Sequence, residues 1–269
     1  ITSFSTAPLR VWSVIGFLAA LIAIAFAIGL IVRVMIVGRE VPGYASLMTV
    51  VVAHLATNDV VGGAAKATKR IHDGLRAIGV DSRLVVAART LDDETARRER
   101  IVDVAVPLAK KAAASALNRG VHRIARNTGV MSYDWPGLGA SSSQVANALR
   151  GVNALHLHWT QGFVGADTVG RVVERIDRPA LVWTLMDAAP LTGGCHYPGT
   201  CARYTQRCGA CPQLHSAIEH DVTRLTWQQK RTHLSSLPLV IVAPTSWVEE
   251  RARRSSLFGA HRIERIPVA

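Results

Sequence analysis

A strand, a glycine turn, a helix and a second strand follow one another in the first third of the chain, and this order restricts the fold more than any other feature. The apolar run Leu47–Ala56 has the length and composition of a buried parallel strand. Gly62 and Gly63 follow it, and a helical pattern of apolar residues then continues to Gly79. A second apolar run at Ser82–Ala88 completes a βαβ unit with a right-handed crossover.

The same alternation of strand and helix continues along the rest of the chain. We predict strands at 152–158, 180–185 and 237–243, and helices at 164–176, 213–235 and from 246 onward. This order predicts an α/β fold with a doubly wound parallel sheet, in which ligands bind beyond the carboxyl ends of the strands. The carboxyl ends of the predicted strands carry the candidate ligand-binding positions Asn58, Gly62, Gly63, His156, His158, Trp159, Asp187, Thr245 and Ser246.

A long uncharged segment lies near the amino-terminal end. No charged residue occurs from Val11 to Val32, and a segment of this length exceeds the need of a bilayer core about 30 Å thick. We therefore predict a transmembrane helix at about 11–37, within a membrane segment 1–46 that precedes a globular domain at 47–269. A cleaved signal peptide is the alternative, but the apolar stretch is too long and no small-residue cleavage site follows it.

The net charge of +12 lies mostly in the predicted globular domain, which favours an anionic membrane surface or a nucleic acid as partner. The window Val104–Tyr133 contains no acidic residue but several lysines and arginines among small apolar residues. This pattern indicates either an interfacial helix or a solvated basic helix face. Few aromatic residues accompany these cations, so a role in stacking single-stranded nucleic acid has little support.

All four cysteines of the chain occur in one predicted loop, 187–212, at Cys195, Cys201, Cys208 and Cys211. Their number and spacing suit one tetrahedral ion, so we predict a structural zinc site. Local disulfides, a redox pair or free thiols are the alternatives. His196 could replace one sulfur as a ligand, or it could be only a hydrogen-bonding residue of the loop.

Two further motifs have competing interpretations. Gly62–Gly63 opens a helix, whose N-terminus can bind a phosphate, but paired glycines also occur where a backbone needs close packing. His156 and His158 alternate with leucines, so both side chains point to one face of the strand. Such a pair can bind a metal, act in acid–base chemistry or simply form structural hydrogen bonds.

Several motifs together are specific: His54-Leu with Gly62-Gly63-Ala-Ala, Leu155-His-Leu-His-Trp159, Thr192-Gly-Gly-Cys-His-Tyr197, Cys208-Gly-Ala-Cys-Pro212, Lys230 and Ala243-Pro-Thr-Ser-Trp247. Through them, the chain from about residue 51 to its end resembles the amino-terminal half of a family-4 glycosyltransferase, the retaining class built from two Rossmann-like halves. The first 46 residues carry Phe4-Ser-Thr-Ala-Pro-Leu9 and Val41-Pro-Gly-Tyr-Ala-Ser46. They resemble the carboxyl-terminal membrane region of a family-2 polyprenyl-phosphate glycosyltransferase.

These resemblances imply a bacterial enzyme that moves a hexose from a nucleotide-sugar to a lipid-linked or glycan acceptor in polysaccharide biosynthesis. They place it at the inner membrane with the globular domain facing the cytoplasm and with no specific nucleic-acid partner. The implied catalytic residues are His158 and Asp187, and the implied donor- or acceptor-binding residues are Gly62, Gly63, His156, Trp159, Lys230 and Ser246. The family's donor-binding half has no counterpart here, so the chain alone is expected to be inactive. The alternative function is a membrane-anchored zinc module that binds anionic lipid or nucleic acid.

Overall fold

The structure is a computed structural model of the 269-residue chain. It describes residues 50–124 and 133–267, together with the isolated positions 25, 26 and 29. The residues from Val50 onward belong to one compact unit. Apart from the three isolated positions, the predicted membrane segment 1–46 lies outside the described residues. Among the residues that are described, no helix is both long enough and apolar enough to cross a membrane.

Seven parallel strands form one sheet. They are β1 (Val51–Asn58), β2 (Asp81–Ala88), β3 (Ile101–Asp103), β4 (Ala154–Leu157), β5 (Ala180–Thr184), β6 (Leu239–Ala243) and β7 (Arg262–Arg265). Their spatial order is β3-β2-β1-β4-β5-β6-β7, and every neighbouring pair is parallel. The order runs outward in opposite directions from β1 and β4, which confirms the predicted doubly wound sheet and places its topological switch point between these two strands.

Seven α-helices connect or follow the strands. They are α1 (Gly63–Ala77), α2 (Asp93–Arg98), α3 (Leu108–Ile124), α4 (Ser142–Ala148), α5 (Ala166–Arg175), α6 (Val222–Leu234) and α7 (Ser246–Arg254), counted within the described part of the chain. The helix predicted at 213–235 was wrong at its start. The carboxylate of Asp221 caps the backbone N–H groups of Thr223 and Arg224, so α6 begins only at Val222.

Alternate residues of the central strands face two different apolar clusters. Leu55 of β1 and Leu155 and Leu157 of β4 belong to the main core on one face of the sheet. Ala56 of β1 and Leu84 of β2 belong to a smaller cluster on the other face. Since side chains alternate along a strand, the even-numbered histidines of β1 and β4 share the face of the smaller cluster.

Candidate functional site

A cleft of about 550 Å³ lies at the carboxyl ends of β1 and β4. Among the residues that line it are Gly62, Gly63, Trp159 and Asp187. Its volume lies within the range of about 300–1,000 Å³ that is usual for small-molecule sites. The structure therefore brings together four of the residues that the sequence marked as site candidates, at the switch point where ligands of such sheets bind. We call this space the switch-point cleft.

Gly62 and Gly63 differ in whether their backbone conformation requires glycine. Gly62 precedes α1 with φ of 90°, a left-handed conformation that side chains other than glycine rarely adopt. Gly63 is the first residue of α1 and has no such requirement. An added Cβ at either position would meet no described atom within 4 Å, so close packing against the described residues does not explain this pair.

The N-terminus of α1 is open to an anion. No side chain caps it, and its first turn contains no acidic residue. The first N–H groups of a helix have no partner within the helix, and the helix dipole adds positive charge at this end. Because Gly62 and Gly63 also line the switch-point cleft, this helix end can supply N–H donors to a phosphate bound there.

A narrower space adjoins the switch-point cleft and shares Trp159, Met186 and Asp187 with it. His158 and Lys230 also line this space, which has a volume of about 40 Å³. We call it the inner recess. One water molecule needs about 10–15 Å³ of volume measured in this way, so the recess has room for only a few. His158 thus lies beside a narrow extension of the cleft and not in its open part.

Three histidines meet on one face of β1 and β4. The rings of His156 and His158 have centroids 4.1 Å apart, which confirms that they share a face. Nδ1 of His54 lies 3.0 Å from Nε2 of His158, and Nε2 of His156 lies 2.7 Å from Oγ1 of Thr184. His54 was not expected in the site from the sequence, because the pairing of β1 with β4 is needed to place it beside His156.

Burial lowers the pKa values of all three histidines. The pKa of His156 falls to about 4, and the pKa values of His54 and His158 fall well below their usual range. For His54 and His158, repulsion by neighbouring imidazoles adds to the effect of burial. The three rings are therefore neutral at neutral pH. His156 lines neither the cleft nor the recess.

Asp187 forms hydrogen bonds with both of its carboxylate oxygens. Nδ1 of His196 donates to Oδ2 at 2.7 Å, and the backbone N–H of Ala189 donates to Oδ1 at 2.7 Å. His196 was interpreted from the sequence only as a loop residue or a possible metal ligand. In the structure it is the partner of Asp187, so the carboxylate holds the beginning and the middle of the cysteine-containing loop together.

Lys230 is a buried cation on α6. Its Nζ donates to the backbone oxygens of Ala189 at 2.6 Å and Thr192 at 2.8 Å. Burial lowers the pKa of this amine, although nearby acidic groups, Asp134 first among them, act in the opposite direction. An ammonium group has three donors, so one remains for a ligand in the inner recess.

Ser246, which the resemblance implied as a binding residue, is exposed at the start of α7 and lines neither the cleft nor the recess.

Asp59 anchors the loop that follows β1. Its carboxylate accepts hydrogen bonds from the backbone N–H groups of Val60, Thr90 and Leu91 and from the hydroxyl of Thr90. Burial acts to raise the pKa of Asp59, but these hydrogen bonds outweigh it and lower the pKa overall. The loops at the ends of β1 and β2 are thereby tied together beside the switch-point cleft.

The four cysteines line one small cavity of about 30 Å³. All four are free thiols, so the structure contains neither of the disulfides considered as alternatives. Burial raises the pKa of Cys195 to about 12 and that of Cys208 to about 11. Cys195 donates a hydrogen bond to Gln213, whereas the sulfur of Cys208 accepts one from the N–H of Gly193.

The cysteines do not form a ready ligand set for zinc. Within the described part of the chain, which includes all four thiols, the group with three potential ligand atoms within 4.8 Å of one another is His54, His156 and His158. The sulfur atoms share a cavity but do not converge to that extent. A zinc ion at the cysteines therefore stays a prediction from the sequence.

Comparison with known proteins adds a partial match. Over 51 residues, which is 19% of its length, the chain is 45% identical to an uncharacterized glycosyltransferase of Synechocystis sp.. The chain covers only 16% of that relative. No protein-family model matches the chain. This partial similarity agrees with a domain of glycosyltransferase type, and so does the Rossmann-like parallel sheet. Only the sequence motifs support the resemblance to family 4 and the resemblance of residues 1–46 to a family-2 membrane region.

Proposed function

We propose that the chain is part of a retaining glycosyltransferase that moves a hexose from a nucleotide-sugar to a lipid-linked or glycan acceptor in polysaccharide biosynthesis. The observation that carries this proposal is the switch-point cleft, where the open N-terminus of α1 and Asp187 line one ligand-sized space. A diphosphate requires N–H donors and positive potential, and the N-terminus of α1 offers both. The partial similarity to an uncharacterized glycosyltransferase supports the same class of reaction.

In this proposal the chain contributes to catalysis mainly by holding the donor diphosphate and the acceptor hydroxyl in place. A leaving diphosphate gains stability from N–H groups aimed at its developing charge, and an acceptor hydroxyl must be held in line with the breaking bond. Asp187 accepts hydrogen bonds from His196 and from the N–H of Ala189, so its role in this proposal is to fix one wall of the cleft. His158 would contact the reacting sugar through the inner recess, as a neutral hydrogen-bonding group.

We also propose that the protein works at the bacterial inner membrane with this domain facing the cytoplasm, where nucleotide-sugars are made. Helix α3 supports contact with an anionic surface. Lys111, Arg119 and Arg123 are exposed on it, and Leu108 and Leu117 are 81% and 44% exposed. Exposed cations beside exposed apolar side chains suit a helix that lies on anionic lipid. Protease digestion of spheroplasts tests the orientation, since external protease would then leave the domain intact.

Ligand binding to the purified chain tests the main proposal against a binding module for anionic lipid or nucleic acid. Because the donor-binding half has no counterpart here, only the N-terminus of α1 is left to bind the diphosphate, and we expect weak but saturable binding of at least one nucleoside-diphosphate hexose, in competition with the corresponding nucleoside diphosphate. Asn58→Ala, inside the cleft, should weaken this binding, whereas Asn147→Ala, exposed and outside the cleft, should not. Steeply salt-dependent binding of DNA or RNA, with no binding of any nucleotide-sugar, would contradict the proposal.

A further inference from the structure

The three clustered histidines are held together by the sheet itself. His54 of β1 and His156 of β4 are register partners, and His158 lies two residues further along on the same face. One ring nitrogen of each lies within 4.8 Å of the others. His54 is fully buried and His158 is 1% exposed. The proposed glycosyl transfer uses His158 alone, so the convergence of three imidazoles is left without a function.

Hydrogen bonding does not satisfy this group. A neutral imidazole has one N–H and one lone pair, and His54 and His158 share a single bond between Nδ1 and Nε2. Whichever ring donates, one buried N–H and one buried lone pair remain. The atoms concerned, Nε2 of His54 and Nδ1 of His158, have no partner among the described residues. An unsatisfied buried polar group costs about 1–3 kcal/mol, and such groups in native proteins indicate a catalytic role, a water or an ion.

We propose that His54, His156 and His158 together bind one divalent transition-metal ion of the Zn²⁺ class. Three imidazoles and one open position are a common ligand set for zinc. The group contains nitrogen ligands only, which favours Zn²⁺, Co²⁺ or Ni²⁺ over Mg²⁺ or Ca²⁺ because the latter prefer oxygen. Since a neutral imidazole has only one lone pair, binding of the ion by both His54 and His158 replaces the hydrogen bond between these two rings.

The surroundings of the histidines fit this assignment. The hydrogen bond between His156 Nε2 and Thr184 Oγ1 fixes the orientation of that ring, as outer-shell partners commonly do for metal-binding histidines. His158 lines the inner recess, which gives an ion a route from the switch-point cleft. The ion would join β1 to β4 directly beneath the cleft. An imidazole that binds an ion with one nitrogen keeps an N–H on the other, so His158 would remain a neutral hydrogen-bond donor.

A neighbouring histidine provides a matched control. His72 of α1 lies beside His54, with ring centroids 5.9 Å apart. Both of its nitrogens already have partners at 2.7 Å, the hydroxyl of Ser82 and the backbone oxygen of Glu99. His72→Gln therefore removes a buried imidazole from the same layer without removing a proposed ligand.

The experiment titrates Co²⁺ and Zn²⁺ into the full chain after chelator treatment, without any sugar ligand. We expect one equivalent of metal and visible Co²⁺ bands without a thiolate charge-transfer band. His54→Gln, His156→Gln and His158→Gln should each weaken Co²⁺ binding at least about tenfold, in line with the effect of losing metal-site groups. His72→Gln and the change of all four cysteines to serine should alter it less than twofold.

X-ray absorption of the Zn²⁺-loaded parent chain gives a test that does not depend on any variant folding. Nitrogen ligands at about 2.0–2.1 Å support the proposal, whereas sulfur ligands at about 2.3 Å place the ion at the cysteines and overturn it. No bound metal, or equal loss of binding in His72→Gln, also overturns it. None of these measurements involves sugar transfer, so they stand or fall separately from the proposed function.

Discussion

The substitution Gly63→Ala tests whether the glycine pair exists for a ligand. Gly63 needs no unusual backbone conformation, and an added Cβ would meet no described atom within 4 Å. Replacing glycine by alanine at a compatible position usually stabilises a protein by about 0.4–1 kcal/mol, because the unfolded chain has fewer conformations. We therefore expect the melting temperature of Gly63→Ala to equal or exceed that of the parent.

The affinity of the Gly63→Ala variant for a nucleoside diphosphate should fall, although its stability does not. The methyl group would occupy the switch-point cleft, at the place where a diphosphate approaches the N–H groups of α1. A hydrogen bond to a charged group contributes about 1.5–3 kcal/mol, and about 1.4 kcal/mol corresponds to a factor of ten in Kd. Loss of one such bond should raise the Kd of a nucleoside diphosphate at least about tenfold, as measured by calorimetry together with thermal unfolding.

The variant Gly62→Ala is the control for backbone strain. Its φ of 90° is costly for alanine, by about 1–3 kcal/mol, so stability should fall there whether or not a ligand binds. Unchanged nucleoside-diphosphate affinity in a fully stable Gly63→Ala variant would refute the anion site. The pair would then serve only the turn between β1 and α1.

Three further predictions concern the surroundings of the cleft. Because its pKa is lowered in the folded state, Asp59 stabilises the fold above the pKa of about 3.9 of an unfolded aspartate and less as the pH falls below it. Asp59→Asn should therefore cost about 2–3 kcal/mol at pH 7, and its difference in stability from the parent should shrink as the pH falls through the lowered folded-state pKa of Asp59. Lys230→Met should cost a similar amount, since two buried carbonyls lose a charged donor, and should make the loop 187–212 sensitive to protease. In metal-free protein at pH 8, iodoacetamide should label half-buried Cys201 at least about a hundredfold faster than Cys195 and Cys208, whose buried thiols have raised pKa values.

Each of these predictions has a control on the same chain. Glu174→Gln, on the exposed side of α5, should leave the stability at pH 7 unchanged. Gln228→Met changes an exposed residue of α6 and should leave the loop resistant to protease. Equal labelling of all cysteines would show that the loop is open in solution, and labelling that begins only after a chelator is added would favour zinc at the thiols over the free thiols of the structure.

The sheet could be predicted because β1 and β2 are long, with eight residues each, and largely buried on both faces. The runs that form β1 and β2 are continuous apolar segments bounded by glycine or polar residues, and their order with α1 leaves few topologies. The edge strands were missed. β3 has three residues, and β7 has the sequence Arg-Ile-Glu-Arg with one buried side chain, Ile263. Such short or charged segments resemble loops until a neighbouring strand supplies hydrogen bonds.

Only those site residues that lie near the ends of strands could be predicted from the sequence. Gly62, Gly63, Trp159 and Asp187 follow strands directly, so the topology alone placed them at one edge of the sheet. His54 lies in the middle of β1, and its contact with His158 spans 104 residues of sequence. That contact depends on the register between β1 and β4, which a single sequence does not contain. The same holds for the inner recess, because its width depends on how side chains of several elements pack.

Lys230 and Asp187, which the resemblance connects with substrates, also act as anchors of the cysteine-containing loop. Lys230 binds the backbone oxygens of Ala189 and Thr192, and Asp187 binds the N–H of Ala189 and the ring of His196. These bonds hold the first residues of the loop against α6 and the sheet while all four cysteines are free thiols. The wall of the cleft is therefore positioned by hydrogen bonds to buried charges, and an ion at the thiols would add rigidity to a segment that is already anchored. It follows that loss of an ion at the thiols should affect the distal residues 195–212 more than the cleft itself, whereas loss of the Lys230 cation should disturb the cleft directly.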